Sequence, residues 1–257
     1  MQPEIKVDVF GEGKPLLLIH GFLEKGDMWE FLLPRLEGRT VIIPDLPGHG
    51  ESDLLEEDAT LELYASVCLD ILDQVNEGPV DIIGHSMGGY IACAIAELEP
   101  ERVASLVLMN STARADDPEK KKARDRAMEV VQQDKKKYNR GMISGLFAEG
   151  KQEFADVIDR LVYEANEMSE AAIVSALSAM RDRKDSVKML SERTFPLAYL
   201  LGDKDARLPI DTMEEECDQI QPDEVCILEG IGHMSQFEAP EVSADFIEHW
   251  YAAIARS

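Results

Sequence analysis

The stretch Ile83-Gly84-His85-Ser86-Met87-Gly88-Gly89-Tyr90 decides how this chain is read. It holds a Gly-x-Ser-x-Gly core at Gly84, Ser86 and Gly88. The apolar run Val80-Asp81-Ile82-Ile83 precedes it, and an amphipathic stretch from Tyr90 to Leu98 follows. Strand, tight turn and helix in that order is the context in which such a core lifts a serine hydroxyl clear of a sheet on a strained backbone. A Cβ on either side would collide with the neighbouring strand and helix, so those positions need glycine. Ser86 is therefore the candidate nucleophile, the alternative being an ordinary strand-to-helix turn.

Outward from this point the pattern alternates. Ile5-Lys6-Val7-Asp8-Val9 has period two, and Gly11-Glu12-Gly13 leads into Leu16-Leu17-Leu18-Ile19, which reads as a hairpin. Residues 40–43, 80–83, 105–109, 197–201 and 225–228 are short aliphatic runs of the kind buried on both faces of a parallel sheet. Helical patterns lie between them at 27–36, 60–75, 90–98, 210–220 and 240–255, the last with Pro240 in its first turn. Alternation of this kind predicts an α/β fold with a doubly wound, mainly parallel sheet.

One block breaks the alternation. From 113 to 193 only helical pattern is found, opening with Asp117-Pro118-Glu119 as cap, first-turn proline and acidic first turn of a helix running towards Tyr138. Residues 151–166 and 169–180 give two more helices. An inserted helical lid at 113–193 is expected, carried by a core made of 1–112 and 194–257.

The 257 residues suffice for a full core, and the formal net charge is −25. The charge is uneven: residues 113–193 hold 17 Lys/Arg against 16 Asp/Glu, and the remainder holds 9 against 35. Such a surface repels nucleic acid and anionic membranes, so neither is expected as a partner. No apolar run is long enough for a membrane span, and the first residues lack the basic-then-apolar layout of a secretion signal. Cys68, Cys93, Cys217 and Cys226 show neither C-x-x-C spacing nor clustering and read as reduced thiols. A cytoplasmic location is expected. No His/Cys/Asp grouping has metal-ligand spacing, so neither a metal nor a cofactor is expected.

A serine hydroxyl needs a base to take its proton and an acid to orient that base. Leu200-Leu201-Gly202-Asp203-Lys204-Asp205 ends one late strand, and Gly230-Ile231-Gly232-His233-Met234 follows the next. The order Ser86, Asp205, His233 suits this architecture, with Asp203 as the rival carboxylate. Of the other histidines, His85 sits beside the serine and is expected to point away from it. His20 and His49 belong to glycine-rich turns, where they brace loops, and His249 lies on the surface of the terminal helix. Met87 opens the helix after the serine, and its backbone N–H is a candidate donor to an oxyanion.

Four blocks in order, His20-Gly21-Phe22, Asp45-Leu46-Pro47-Gly48-His49-Gly50-Glu51-Ser52, Gly84 to Gly89, and Gly202 to Asp205 with Gly232-His233, make the chain resemble the α/β-hydrolase fold family, in its small, single-lid esterase-like members. The resemblance covers almost the whole chain. It implies Asp205 as the acid at the fourth position of Gly-x-x-Asp, the backbone N–H of Phe22 as second oxyanion donor, and a mainly structural role for residues 45–52. Members commonly have a further edge strand before the Ile5 segment, where four residues stand here, so about seven strands are expected. The implied reaction is hydrolysis of carboxylic esters of small or medium apolar acids, a small-molecule substrate, through an acyl-enzyme. The same triad also serves carbon–carbon bond hydrolysis, thioester hydrolysis and a lyase step like that of a menaquinone-pathway synthase. Members of that synthase group usually carry Arg shortly after the nucleophile, where this chain has Tyr90. Leu23 after the oxyanion residue, where Pro is usual in perhydrolases, speaks against that activity. A ligand receptor with slow turnover is the alternative from another class.

Overall fold

A computed structural model describes residues 3–56, 58–75, 78–150 and 152–256. The strands are β1 (Val7–Phe10), β2 (Lys14–Ile19), β3 (Arg39–Pro44), β4 (Val80–His85), β5 (Val103–Met109), β6 (Leu197–Gly202) and β7 (Glu224–Leu228). The helices are α1 (Leu61–Val75), α2 (Met87–Leu98), α3 (Pro118–Ser144), α4 (Ala155–Glu167), α5 (Glu170–Arg181), α6 (Val187–Ser191), α7 (Ile210–Ile220), α8 (Ser235–Glu238) and α9 (Pro240–Ile254). The strands form one seven-stranded sheet in the order β1-β3-β2-β4-β5-β6-β7, parallel throughout except for antiparallel β1.

Alternation along the inner strands supplies two cores. Leu17, Ile19, Ile82, Leu106, Leu108 and Tyr199 face α1, α2 and the helices that follow β5, whereas Leu16, Leu18, Ile83, Val107 and Leu200 face Trp29 and α9. Helix α1 buries Leu61, Tyr64, Ala65, Cys68, Leu69 and Leu72, a spacing of three and four that forms a single apolar stripe. Among the described residues, no helix is long and apolar enough to cross a membrane. The four cysteines are free, Cys68 and Cys93 of them buried.

The expected hairpin between β1 and β2 does not form. Val7 to Phe10 pairs with Pro44 to Val41 of β3, and β3 also pairs with β2, so it lies between the two supposed neighbours. The strand with the larger buried apolar content takes the inner place. Val41, Ile42 and Ile43 are buried, while Val9 and Phe10 on the edge strand remain 48% and 47% exposed. Three linking residues are enough to cross the roughly 10 Å over one intervening strand. Strand β7 departs from expectation in the same way. It ends the sheet, so Val225 and Ile227 face outward rather than being buried on both faces.

The helical pattern at 27–36 is realised as two 3-10 stretches, Gly26–Phe31 and Leu33–Arg35, because Pro34 opens a new turn there. Among the described residues between β5 and β6, all regular structure is helical. Asp117 caps α3 as expected, accepting from the N–H groups of Glu119 and Lys120 at 2.8 Å each. The helix extends beyond Tyr138 to Ser144 but breaks at Asp134 (φ −156°, ψ 80°). The Asp134 carboxylate then accepts from Lys137 N–H at 3.0 Å, capping the second half. The helix expected from 151 begins later, with a 3-10 turn at Gln152–Phe154 ahead of α4, and position 151 lies outside the described residues.

Candidate active site

Ser86 sits where β4 ends and α2 begins, with φ 50° and ψ −115°, a conformation that L-residues rarely adopt. Two glycines make the turn possible. A Cβ on Gly84 would lie 2.4 Å from the Gly88 carbonyl oxygen, and one on Gly88 would lie 2.1 Å from that of Ile19 in β2. Strand, turn and helix are thus pressed together at distances that only hydrogen allows. The strain of such a serine persists because the sheet and α2 fix both of its ends.

The loops after β6 and β7 bring Asp205 and His233 to this serine. His233 Nε2 lies 2.8 Å from Ser86 Oγ, and His233 Nδ1 lies 2.6 Å from Asp205 Oδ2. An ionised carboxylate can only accept, so Nδ1 carries the proton and the Nε2 lone pair faces the serine hydroxyl. Burial alone would push the Asp205 carboxyl up. The imidazole of His233 and the N–H groups of Arg207 (2.8 Å) and Leu208 (3.1 Å) instead hold it below its ordinary value. The rival Asp203 is not in this group. Its Oδ1 accepts from Gly230 N–H at 2.6 Å and its Oδ2 pairs with Lys204, so it braces the loop junction.

The peptide groups beside the serine are also held. The Ser86 carbonyl accepts from Ser111 Oγ at 2.7 Å and from Gly89 N–H at 3.0 Å. The Gly21 carbonyl accepts from His20 Nδ1 at 2.8 Å, while His20 Nε2 accepts from Leu46 N–H at 2.9 Å. That pattern requires a neutral ring, and burial does lower the His20 pKa. In a trans peptide the C=O and N–H point to opposite sides, and no cis peptide occurs among the described residues. Gripping the carbonyls of Ser86 and Gly21 therefore fixes the direction of the Met87 and Phe22 N–H groups.

The remaining histidines fall as the sequence suggested. His49 is buried with its pKa pushed down to about 3 by burial, and Nδ1 lies 3.1 Å from the Pro47 carbonyl. His249 is exposed. His85 turns to Glu24 and to the His233 carbonyl, 2.9 and 3.0 Å from its two ring nitrogens. Asp45 braces its loop by accepting from Gly26 and Glu51 N–H groups.

Three residues near the site escaped the sequence reading. Asn110, with φ 44°, donates to the Gly232 carbonyl at 3.1 Å and to Asp205 Oδ2 at 3.4 Å. Ser111 holds the Ser86 carbonyl, and Glu24 accepts from Gly21 N–H at 2.6 Å. A polar pair directly after an apolar strand, at the carboxyl end where ligands bind, was the available signal for Asn110 and Ser111. Glu24 had none, because a lone acid in a loop is usually solvated.

Ser86 and His233 open onto a cavity of about 530 Å³. Phe22, Tyr90, Met142, Leu177 and Met180 give it apolar surface. Met142, Leu177 and Met180 come from α3 and α5, so both helices contribute to the wall of the cavity that contains Ser86. Among the described residues, no group of three or more His, Cys, Asp or Glu could hold a metal ion.

Comparison with known proteins agrees with this architecture. A family model described as alpha/beta hydrolase fold matches residues 14–240. A thermophilic esterase from Thermogutta terrifontis, solved with malate bound, superposes with a TM-score of 0.91 at 30% identity, covering 98% of this chain and 94% of that one. The dihydrolipoyllysine-residue acetyltransferase component of the acetoin cleaving system of Pseudomonas putida is 31% identical over 247 residues, 89% of this chain and 61% of that protein. The (E)-2-((N-methylformamido)methylene)succinate hydrolase of Acinetobacter baylyi is 36% identical over 104 residues, 39% of this chain and 38% of that protein. The matches thus span less than two thirds of these two curated relatives. With the family model, the sheet order and the serine turn in agreement, the chain belongs to the alpha/beta hydrolase fold family.

Proposed function

We propose that this protein is a serine hydrolase of carboxylic esters. Ser86 attacks the ester carbonyl carbon while His233 Nε2 takes the hydroxyl proton, and Asp205 stabilises the imidazolium that forms. The tetrahedral intermediate collapses with expulsion of the alcohol, which receives the proton from His233. Water, deprotonated by the same imidazole, then attacks the acyl-enzyme, and the acid leaves as Ser86 recovers its proton. The observation that carries this reading is the continuous line Asp205–His233–Ser86, at 2.6 and 2.8 Å, ending in a cavity.

The Phe22 and Met87 N–H groups form the oxyanion hole in this mechanism. Their support is the grip of His20 on the Gly21 carbonyl and of Ser111 on the Ser86 carbonyl, which removes the freedom of both donors to turn away. Residues 113–193 act as the lid that selects the substrate, and the apolar side chains of α3 and α5 over Ser86 support that role.

The test is a panel of 4-nitrophenyl esters and acyl thioesters of graded chain length, assayed with the wild type and with Ser86→Ala. Turnover of esters that disappears in Ser86→Ala is the expected result. Equal turnover in both proteins would exclude Ser86 as nucleophile, and a panel in which thioesters far outrun esters would move the assignment to a thioesterase.

A further inference from the structure

The cavity above Ser86 is electropositive in a chain that is otherwise strongly negative. Five of its lining side chains are cationic, Lys120, Arg124, Lys137, Arg183 and Arg207, against one carboxylate, Asp116. That carboxylate is already engaged, with Oδ1 2.7 Å from Arg183 and Oδ2 3.1 Å from Arg124. Arg183 is a fixed strut. It donates to the Arg114 and Met180 carbonyls at 2.9 Å each and lies 4.1 Å over the Tyr90 ring.

Lys120, Lys137 and Arg207 are different. None of them forms an ion pair with a described residue, although the chain offers 51 Asp and Glu against 26 Lys and Arg. They reach the same cavity from two places. Lys120 and Lys137 lie on the two halves of α3, on either side of the break at Asp134, and Arg207 follows Asp205 by two residues. Arg124 and Arg207 both bear on the Tyr138 hydroxyl, where they oppose the upward push of burial. Lys121, Arg126 and Lys136 of α3 likewise form no ion pair with a described residue, so what sets Lys120, Lys137 and Arg207 apart is that they converge on the cavity that holds Ser86. Cations collected around one cavity and left without partners leave room for an anion that comes from outside.

We propose that the substrate is an anionic ester, its scissile carbonyl at Ser86 against Phe22 and Met142 and a carboxylate elsewhere on the molecule received by Arg207, Lys120 and Lys137. The proposal rests on the serine hydrolase reading and adds the charge of the substrate to it. The apolar stretch of the cavity takes the chain that separates the two groups, as in a half-ester of a dicarboxylic acid.

The experiment compares mono-4-nitrophenyl adipate with 4-nitrophenyl hexanoate, which have the same acyl length and leaving group, at low and high ionic strength. A second matched pair carries the carboxylate on the alcohol. The ratio of kcat/KM for charged over neutral ester is expected to be roughly tenfold or more at low salt in one of the two pairs and to fall as salt is added. The double variant Lys120→Gln with Arg207→Gln is expected to bring that ratio down about tenfold. If the net negative charge of the chain governs instead, the ratio lies below one in both pairs and rises with salt, which overturns the proposal. Calorimetric titration with adipate itself separates the two readings. Adipate binding that the double variant loses, in a protein that cleaves neither ester, would sink the hydrolase assignment and keep the anion site. No adipate binding together with a preference for neutral esters would remove the anion site and leave the hydrolase assignment standing.

Discussion

The Glu24 carboxylate lies 2.9 Å from Nδ1 of His85, and both side chains are shut away from solvent. His85 Nε2 faces the His233 carbonyl oxygen at 3.0 Å, which can only accept. A ring that donates from both nitrogens is an imidazolium, so this is a buried ion pair behind His233. It also reaches Gly21, whose N–H donates to Glu24 at 2.6 Å, and Gln236 at 3.4 Å. One pair therefore joins the loop before Phe22, the strand end before Ser86 and the loop that carries His233.

The first prediction concerns its pH dependence. Burial works against charge on His85, and the Glu24 carboxylate with the His233 carbonyl outweighs it, so the pKa rises above 6.5. Burial likewise opposes charge on Glu24, and His85 with Gly21 N–H draws its pKa below 4.5. A raised histidine contributes stability that is complete below 6.5 and is lost as pH climbs through its folded value. A lowered carboxylate contributes stability that is complete above 4.5 and is lost as pH falls through its folded value. The pair therefore stabilises fully between about pH 4.5 and 6.5. Removing one partner of such a pair costs about 3 kcal/mol. Urea unfolding of wild type and Glu24→Gln at pH 5.5 and pH 9 is expected to show the larger difference at pH 5.5. Equal differences at both values would contradict the ion pair.

Strain at Ser86 gives the second. Ser86 holds φ 50°, where glycine pays no steric penalty. Ser86→Gly is expected to abolish ester turnover yet raise stability by about 1 kcal/mol, or roughly 3 °C in Tm. Differential scanning calorimetry reads the shift, and a lower Tm than in Ser86→Ala would argue against stored strain.

The two carboxylates of the Gly202 to Asp205 turn separate cleanly. Asp205→Asn is expected to lower kcat by about 10³–10⁴, because the amide no longer holds the proton on Nδ1 or balances the imidazolium. Asp203→Asn leaves the His233 partner in place, so kcat is expected within about threefold of wild type, the loss appearing as a stability change within about 1 kcal/mol. Steady-state kinetics of the two variants, with unfolding curves as control, decides the assignment.

His20 and Ser111 are predicted to act on kcat rather than on KM. Each holds the carbonyl of a peptide whose N–H is proposed to serve the oxyanion. Loss of an oxyanion donor costs about 10²–10³ in kcat, so a donor set free to turn is expected to cost roughly tenfold or more. Ser111→Ala and His20→Ala assayed over substrate concentration test this, and a change confined to KM would assign them to binding instead.

The path from residues to this site was legible wherever the information is local. Gly84, Ser86 and Gly88 specify a turn through sterics within five residues, and the aliphatic runs of β3 to β7 specify strands through their own apolarity. Edge strands were less legible. Whether Val7 to Phe10 pairs with β2 or β3 depends on which strand competes better for the inner place, and no local pattern records that contest.

The sequence by itself therefore determined the alternating α/β architecture, the strained serine turn and the strand-end positions of Ser86, Asp205 and His233. The reason is that each is set by backbone sterics and apolar periodicity over a few residues. Only the tertiary structure decided that Asp205 rather than Asp203 meets His233, that Glu24 is buried against a histidine 61 positions away, and that Lys120, Lys137 and Arg207 share one cavity. Charges act through space and through burial, and the chain must fold before either distance or dielectric has a value.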